Sequence, residues 1–310
     1  MSIEIIEPTA LDLLAMGEPI FFRGTAASGI NTVKLFAEQY LLSTIAVNGE
    51  NWSTAYPFNR AGKRHITVRG YDASDRELAQ ATIDIIVNDA QLEILGIDVS
   101  NLNPPTDWKI TAKSKRATFA FVKASEGETW KDSDFATNWS GMKSAGIIRG
   151  AYHFFRPNKS VDKQVANYLS MVGKLDKGDL PPVLDLENFP DSVKEQWEAI
   201  PTVAERVKIS KDWLTQIEQK LGKKPIIYTG PSFWAELMGD TQALVEYPLW
   251  IANYKDDYKT SKPIVPANNW GGKGYTFWQF TEAGSVMGVK GVVDRNIFNG
   301  NLAELTKLTK

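Results

Sequence analysis

The rhythm of apolar and polar positions changes once along the chain. Over the first ninety residues, short runs rich in β-branched and aromatic residues alternate with Gly, Asn and Asp. They cover residues 3–6, 19–24, 32–36, 41–47, 51–57, 65–71 and 81–87, at the 8–12-residue spacing of a β-sandwich. Beyond residues 87–92, strand-like runs alternate instead with amphipathic helical segments. The chain is therefore expected to hold an all-β module over 1–90 and a second domain over 91–310.

Eight strands are predicted in the second domain, over 94–99, 118–123, 147–154, 182–186, 225–228, 249–252, 275–280 and 292–296. The helix ends between the early strands are marked. Thr202 and Glu205 form a capping-box pair, Val203, Val207, Leu214, Ile217 and Leu221 share a face, and Gly222 stands where a helix closes. Similar apolar faces run into Gly146, Gly173 and Gly239. Residues 253–274 are polar and rich in Pro, Gly and Lys, and 281–291 are too short for a crossover helix. Five strand–helix units followed by three strands predict an irregular TIM-like (β/α)5(β)3 barrel. An open doubly wound sheet is the alternative, but no G-x-G-x-x-G follows the first strand and no Walker loop occurs.

Composition narrows the chemistry. The 310 residues carry 35 Lys+Arg against 37 Asp+Glu, a net charge of −2 that argues against a nucleic-acid binder. With no Cys and only His65 and His153, thiolate catalysis is excluded and neither a metal centre nor a cofactor is expected. No run approaches the ~18 apolar residues of a membrane span. The acidic start and the short 11–16 stretch read as no signal peptide, so the expectation is synthesis in the cytoplasm.

What remains is carboxylate chemistry. Barrel enzymes place it at the C-terminal ends of strands. Read that way, the strand ends present Asp98, Lys123 with Glu126, Tyr152 with His153, Asp185 with Glu187, Tyr228, Asn253 with Tyr254, Trp278 with Gln279, and Asp294. Asp185 and Glu187 are two apart and share a strand face, where two carboxylates push one pKa up and make a proton donor. Alone, such a pair is more often a strand-end acid that caps a helix or meets a Lys. Asp98 and Asp294 lie on the first and last strands, neighbours only if the barrel closes, and four converging acids favour a site. His153 reads equally as a hydrogen-bonded core histidine, and Trp278 divides evenly between stacking on a sugar and packing.

These segments resemble family-25 glycoside hydrolases, the Chalaropsis-type lysozymes. The resemblance rests on Gly96-Ile-Asp-Val-Ser100, Phe119-Ala-Phe-Val-Lys-Ala-Ser-Glu-Gly127, Gly150-Ala-Tyr-His-Phe-Phe155, Pro182-Val-Leu-Asp-Leu-Glu187, Leu249-Trp-Ile-Ala-Asn-Tyr254, Trp278-Gln279 and Val293-Asp-Arg-Asn296, in order. It implies a muramidase that cleaves the β-1,4 bond between N-acetylmuramic acid and N-acetylglucosamine in bacterial peptidoglycan. Glu187 would be the general acid, Asp185 the residue orienting the 2-acetamido group, and Asp98 and Asp294 the remaining catalytic acids. Glu126, Lys123, Tyr152, Tyr228, Tyr254, Trp278 and Gln279 would bind substrate. The strand D-x-E also occurs in substrate-assisted chitinases, which favours participation of the acetamido group. A silent peptidoglycan-binding lectin and a chitinase-like glycosidase are the competing readings.

One departure is the stretch 101–108, where Asn-Leu-Asn-Pro-Pro-Thr-Asp-Trp replaces the family's usual Gln-Gly before Asp-Trp. Its two prolines are expected to stiffen a loop beside Asp98. Residues 47–53 and 68–76 resemble bacterial immunoglobulin-like modules, which suggests a part that docks to the wall or to a phage or secretion structure, or a spacer. A monomer is expected, acting on the wall after lysis, virion delivery or dedicated secretion.

Overall fold

A computed structural model describes the chain except residues 1, 10–13, 18, 89–92, 104, 115–116 and 256. It divides into two compact units, Met1–Leu92 and Glu93–Lys310. The expected boundary between 90 and 91 falls outside the described residues, as does Pro104 of the proline pair.

The first unit is all β. Its strands are β1 (Ile3–Glu7), β2 (Leu14–Ala15), β3 (Pro19–Ala26), β4 (Thr32–Ala37), β5 (Tyr40–Ala46), β6 (Asn51–Pro57), β7 (Gly62–Tyr71) and β8 (Glu77–Asn88). They form one sheet in the order β1-β3-β6 and another in the order β2-β8-β7-β4-β5. Strict alternation drives the arrangement. Ile20, Phe22 and Ala26 of β3 point one way, as do Val33, Leu35 and Ala37 of β4, and both sets enter one core with Trp52 and Ile66. Seven of these strands follow the predicted runs; β2, two residues long, is too short to leave a pattern.

The second unit contains β9 (Ile94–Val99), α1 (Trp108–Lys113), β10 (Phe119–Glu126), β11 (Trp130–Lys131), α2 (Phe135–Ser144), β12 (Ile148–Phe154), α3 (Val161–Val172) and β13 (Val183–Leu186). There follow α4 (Asp191–Glu198), α5 (Val203–Leu221), β14 (Ile226–Thr229), α6 (Pro231–Glu236), β15 (Leu249–Ala252), α7 (Pro266–Gly271), β16 (Phe277–Gly284), β17 (Val293–Phe298) and α8 (Leu302–Leu308). Eight strands close a barrel in the order β9-β10-β12-β13-β14-β15-β16-β17, and β17 returns to β9. The Thr202–Glu205 capping box forms as read, and Gly222 closes α5 in the left-handed conformation. A single turn, α7, holds residues 267–270 at positive φ in the stretch expected to lack a helix.

Two apolar layers result from the strand period of two. Ile94, Phe119, Phe121, Val183, Ile226, Trp250, Phe277 and Phe298 fill the barrel. Their sequence neighbours Leu95, Ala120, Val122, Leu184, Ile227, Leu249, Ile251 and Trp278 face the helices. Glycine is required where the inner rings press on backbone: a Cβ at Gly96 would lie 2.4 Å from the Phe119 ring, and one at Gly150 2.4 Å from Phe121.

The last strand does not run with the others: β17 pairs antiparallel with both β16 and β9. Asp294 therefore stands near the start of its strand rather than at a C-terminal end. Reversal brings it to the rim, where it is the cross-strand partner of Asp98. The connection from β16 is far shorter than a parallel crossover needs.

Candidate active site

The inward register of seven of the eight barrel strands leads to a polar residue at the same rim. Ile94 and Gly96 lead to Asp98, Phe119 and Phe121 to Lys123, Ile148 and Gly150 to Tyr152, Val183 to Asp185 and then Glu187. Likewise Ile226 leads to Tyr228 and Phe277 to Gln279, while the reversed β17 runs Asp294, Asn296, Phe298 inward. Asp98, Tyr152, Asp185, Glu187, Tyr228, Trp250, Gln279 and Asp294 thus line one cavity of about 90 Å³. It adjoins a second cavity of about 280 Å³ that shares Glu187 and Tyr228 and is bounded by Asn188, Ser232, Asn253 and Tyr254.

Burial sets the electrostatics. Asp98 accepts hydrogen bonds from Asn296 Nδ2 at 2.7 Å and from Gln279 Nε2 at 2.9 and 3.1 Å. Burial still outweighs those donors and raises its pKa. Asp294 is pushed to about 9 by burial and by the Asp98 charge. Asp185 is 4% exposed, and its Oδ1 has no hydrogen-bond partner. Burial, then the neighbouring Glu187, hold its pKa well above the carboxylate range. Glu187 rises to about 7, again through burial, with Asp98 and Glu126 adding to the rise and Lys123 and Arg156 opposing it. Its backbone is pinned by Trp197 of α4, whose Nε1 donates to the Glu187 carbonyl at 3.0 Å.

A bulge in β10 between Lys123 and Ser125 changes the strand's phase. Lys123 and Glu126 would otherwise sit on opposite faces; here Lys123 Nζ meets Glu126 Oε2 at 2.6 Å. Arg156 Nε donates to the other oxygen at 2.8 Å. Burial raises the Glu126 pKa, but these two cations together hold it below its ordinary value. Lys123 also lies over the rings of Trp130 and Phe154.

Of the residues read from the sequence, Asp98, Tyr152, Asp185, Glu187, Tyr228, Gln279 and Asp294 meet in the central cavity. Tyr254 borders the adjoining one, and Lys123 and Glu126 form an ion pair beside them. Trp278 does not join them. It is 2% exposed in the helix-facing layer and donates through Nε1 to the Asn253 carbonyl at 2.8 Å. The tryptophan inside the barrel is Trp250, stacked on Phe121 and edge-on to Tyr228. Strand parity distinguishes the two, because Trp250 shares the inward face with Phe277-type positions. His153 faces outward, stacked on Trp213, with Ser125 on Nδ1 at 2.9 Å and Gln164 Oε1 on Nε2 at 3.2 Å. Burial lowers its pKa to about 4, so it is a neutral core residue. Among the described residues, no group of three or more His, Cys, Asp or Glu is arranged to hold a metal ion.

A carboxyl able to give up a proton near neutrality, among others that resist ionisation, is what glycosidic bond hydrolysis asks of a protein. The comparisons place the chain in that class. Residues 97–289 match the family described as Glycosyl hydrolases family 25, and the chain belongs to it; it is a glycoside hydrolase of the lysozyme type. Uncharacterized protein YegX of Escherichia coli (strain K12) is 39% identical over 222 residues, 70% of this chain and 73% of that protein. Lysozyme M1 of Streptomyces globisporus is 36% identical over 219 residues, 69% of this chain and 71% of its own. The crystal structure of the bacterial lysozyme from Streptomyces coelicolor aligns with a TM-score of 0.64 at 33% identity, covering 71% of this chain and 98% of that one.

Proposed function

We propose that the protein is an N-acetylmuramidase that cleaves the β-1,4 bond between N-acetylmuramic acid and N-acetylglucosamine in bacterial peptidoglycan. The observation that carries this reading is the division of labour among the rim acids. Glu187 sits at the junction of the two cavities with a pKa of about 7, so near neutrality it is substantially protonated and can protonate the leaving oxygen. Asp185 presents an unpartnered, buried oxygen beside it. A substrate acetamido N–H supplies the missing donor, favours the Asp185 carboxylate and orients the acetamido oxygen towards the sugar's anomeric carbon. That route uses the substrate's own group as nucleophile. The Asp98–Asp294 pair, with Asp294 held protonated near neutrality, supplies the negative charge of Asp98 opposite the developing oxocarbenium ion. The similarity to Lysozyme M1 supports the wall polymer as substrate.

The test is Glu187→Gln, which keeps shape and removes the proton. Turnover on purified peptidoglycan should fall by about 10³-fold or more while wall binding persists. A variant retaining a substantial part of the parent rate would remove Glu187 from the acid role.

For the first unit we propose an immunoglobulin-like sandwich, acting as a spacer or as a dock to the wall or to a phage or secretion structure. Support comes from its two facing sheets, one of three strands and one of five, and from β2 pairing parallel to β8 while the other ladders are antiparallel. No helix among the described residues is long and apolar enough to cross a membrane. We propose a monomer that reaches the wall after release from the cytoplasm.

A further inference from the structure

We infer that Gln279 is a positioning residue whose side-chain amide, locked by two tyrosines, fixes Asp98 as the ionised member and Asp294 as the protonated member of a proton-sharing pair. The inference rests on the assignment of these acids to the active site and adds to it how their protons are distributed.

Geometry leaves the amide one orientation. Its Oε1 accepts from Tyr228 Oη at 2.9 Å and from Tyr254 Oη at 3.1 Å. Its Nε2 then faces Asp98 Oδ2 at 2.9 Å, Asp98 Oδ1 at 3.1 Å and Asp294 Oδ2 at 3.4 Å. Flipping the group would set its carbonyl nearest the two oxygens of ionised Asp98, which cannot donate, and would forfeit both of the short contacts. Two N–H groups serve three oxygens unequally, and the nearer contacts go to Asp98. Asn296 adds a third short donor to Asp98, itself held by Trp250 Nε1 on Asn296 Oδ1 at 2.8 Å. Asp98 is thus solvated by uncharged amides, while Asp294 gets one long contact and bonds to Asp98 itself.

The surrounding groups favour one shared proton. Tyr152 and Tyr228 face the pair from β12 and β14, Asp185 from β13 and Glu187 from just beyond it. Glu282 of β16 adds negative charge near Asp294. The cations Lys123 and Arg156 act on Asp185 and Glu187 and are engaged with Glu126. With so much like charge, full ionisation of both aspartates is costly, and the acid with fewer donors keeps the proton. The elevation of Asp294 agrees with this ordering.

Gln279 is 2% exposed, whereas Tyr254 is 46% exposed. The outer phenol can therefore be changed with little risk to the core.

The experiment is a 13C titration of the aspartate side-chain carboxyls in the full chain, with resonances assigned through Asp98→Asn and Asp294→Asn. It compares the parent with Gln279→Leu, which removes the amide, and with Tyr228→Phe/Tyr254→Phe, which keeps the amide but unlocks it. In both variants the Asp98 titration should move up, by on the order of one pH unit in Gln279→Leu and less in the double variant. The acid limb of kcat/KM should move with it. Should Gln279→Leu fail to fold, the double variant decides. An Asp98 titration left in place, or moved down, overturns the inference, whatever happens to the rate. If Glu187→Gln stays active while the titration shifts as stated, the catalytic assignment falls and the role of Gln279 stands.

Discussion

Glu187 is the residue on which pH dependence turns. The general-acid role proposed for it requires the protonated form, so turnover should decline as pH rises through about 7, and the upper limb of a kcat/KM profile reads this directly. The same shift has a stability consequence. Its pKa is raised above the ordinary 4.5, so the folded state binds the proton more tightly than the unfolded chain. That contribution is complete below about pH 4.5 and is lost as pH rises through 7. Asp185 and Asp294 are shifted the same way, so melting temperature should fall between pH 5 and 9. Glu187→Gln should melt above the parent at pH 8 and show a smaller decline. A gain on the order of 1–2 kcal/mol is expected, since the side chain is only partly enclosed. Equal melting temperatures at pH 8 would mean that Glu187 ionises freely in the folded protein.

At the scale of elements, the barrel depends on inner rings fitting glycines. Gly96→Ala places a Cβ 2.4 Å from Phe119, a side chain wholly buried and confined by Phe121 and Phe277. A loss of about 1–3 kcal/mol is expected in denaturant unfolding, with the midpoint lowered and the slope unchanged. Thr202→Ala removes the side-chain half of the α5 capping box and should cost about 1 kcal/mol in the same measurement. That capping box was fully legible in the sequence, as were the strand runs, because both are local patterns. The rim acids were legible through strand parity, which placed Asp185 and Glu187 on one face.

Other features of the site depend on information that local pattern does not hold. The bulge that turns Glu126 towards Lys123 is set by the pairing of β10 with β12, and no residue type marks it. Trp278 and Trp250 look alike as strand-end aromatics, and only the inward register of each strand separates them. The direction of β17 was readable, since a short helix-free link after β16 makes a hairpin and not a parallel crossover. Gln279 carried no motif of its own. Its importance comes from four side chains meeting on one amide, from three other strands and the segment after β15.

At the scale of the whole molecule, the acids and both cavities of the candidate active site come entirely from Glu93–Lys310, while Met1–Leu92 has its own apolar core. A chain beginning at residue 93 should therefore fold and hydrolyse soluble glycan fragments at a kcat within about twofold of the full chain. Loss of activity in that shortened chain, despite a native melting profile, would show that the first unit contributes to catalysis. If the first unit docks to the wall, the shortened chain should lose rate selectively on intact sacculi.

The central claim is the identity of the bond that is cut. Purified, N-acetylated peptidoglycan digested by the protein, reduced with borohydride and resolved by mass spectrometry reports it directly. The account predicts soluble fragments whose reduced ends are N-acetylmuramitol. Fragments ending in reduced N-acetylglucosamine, or no soluble fragments from wall that still retains the protein, would contradict it.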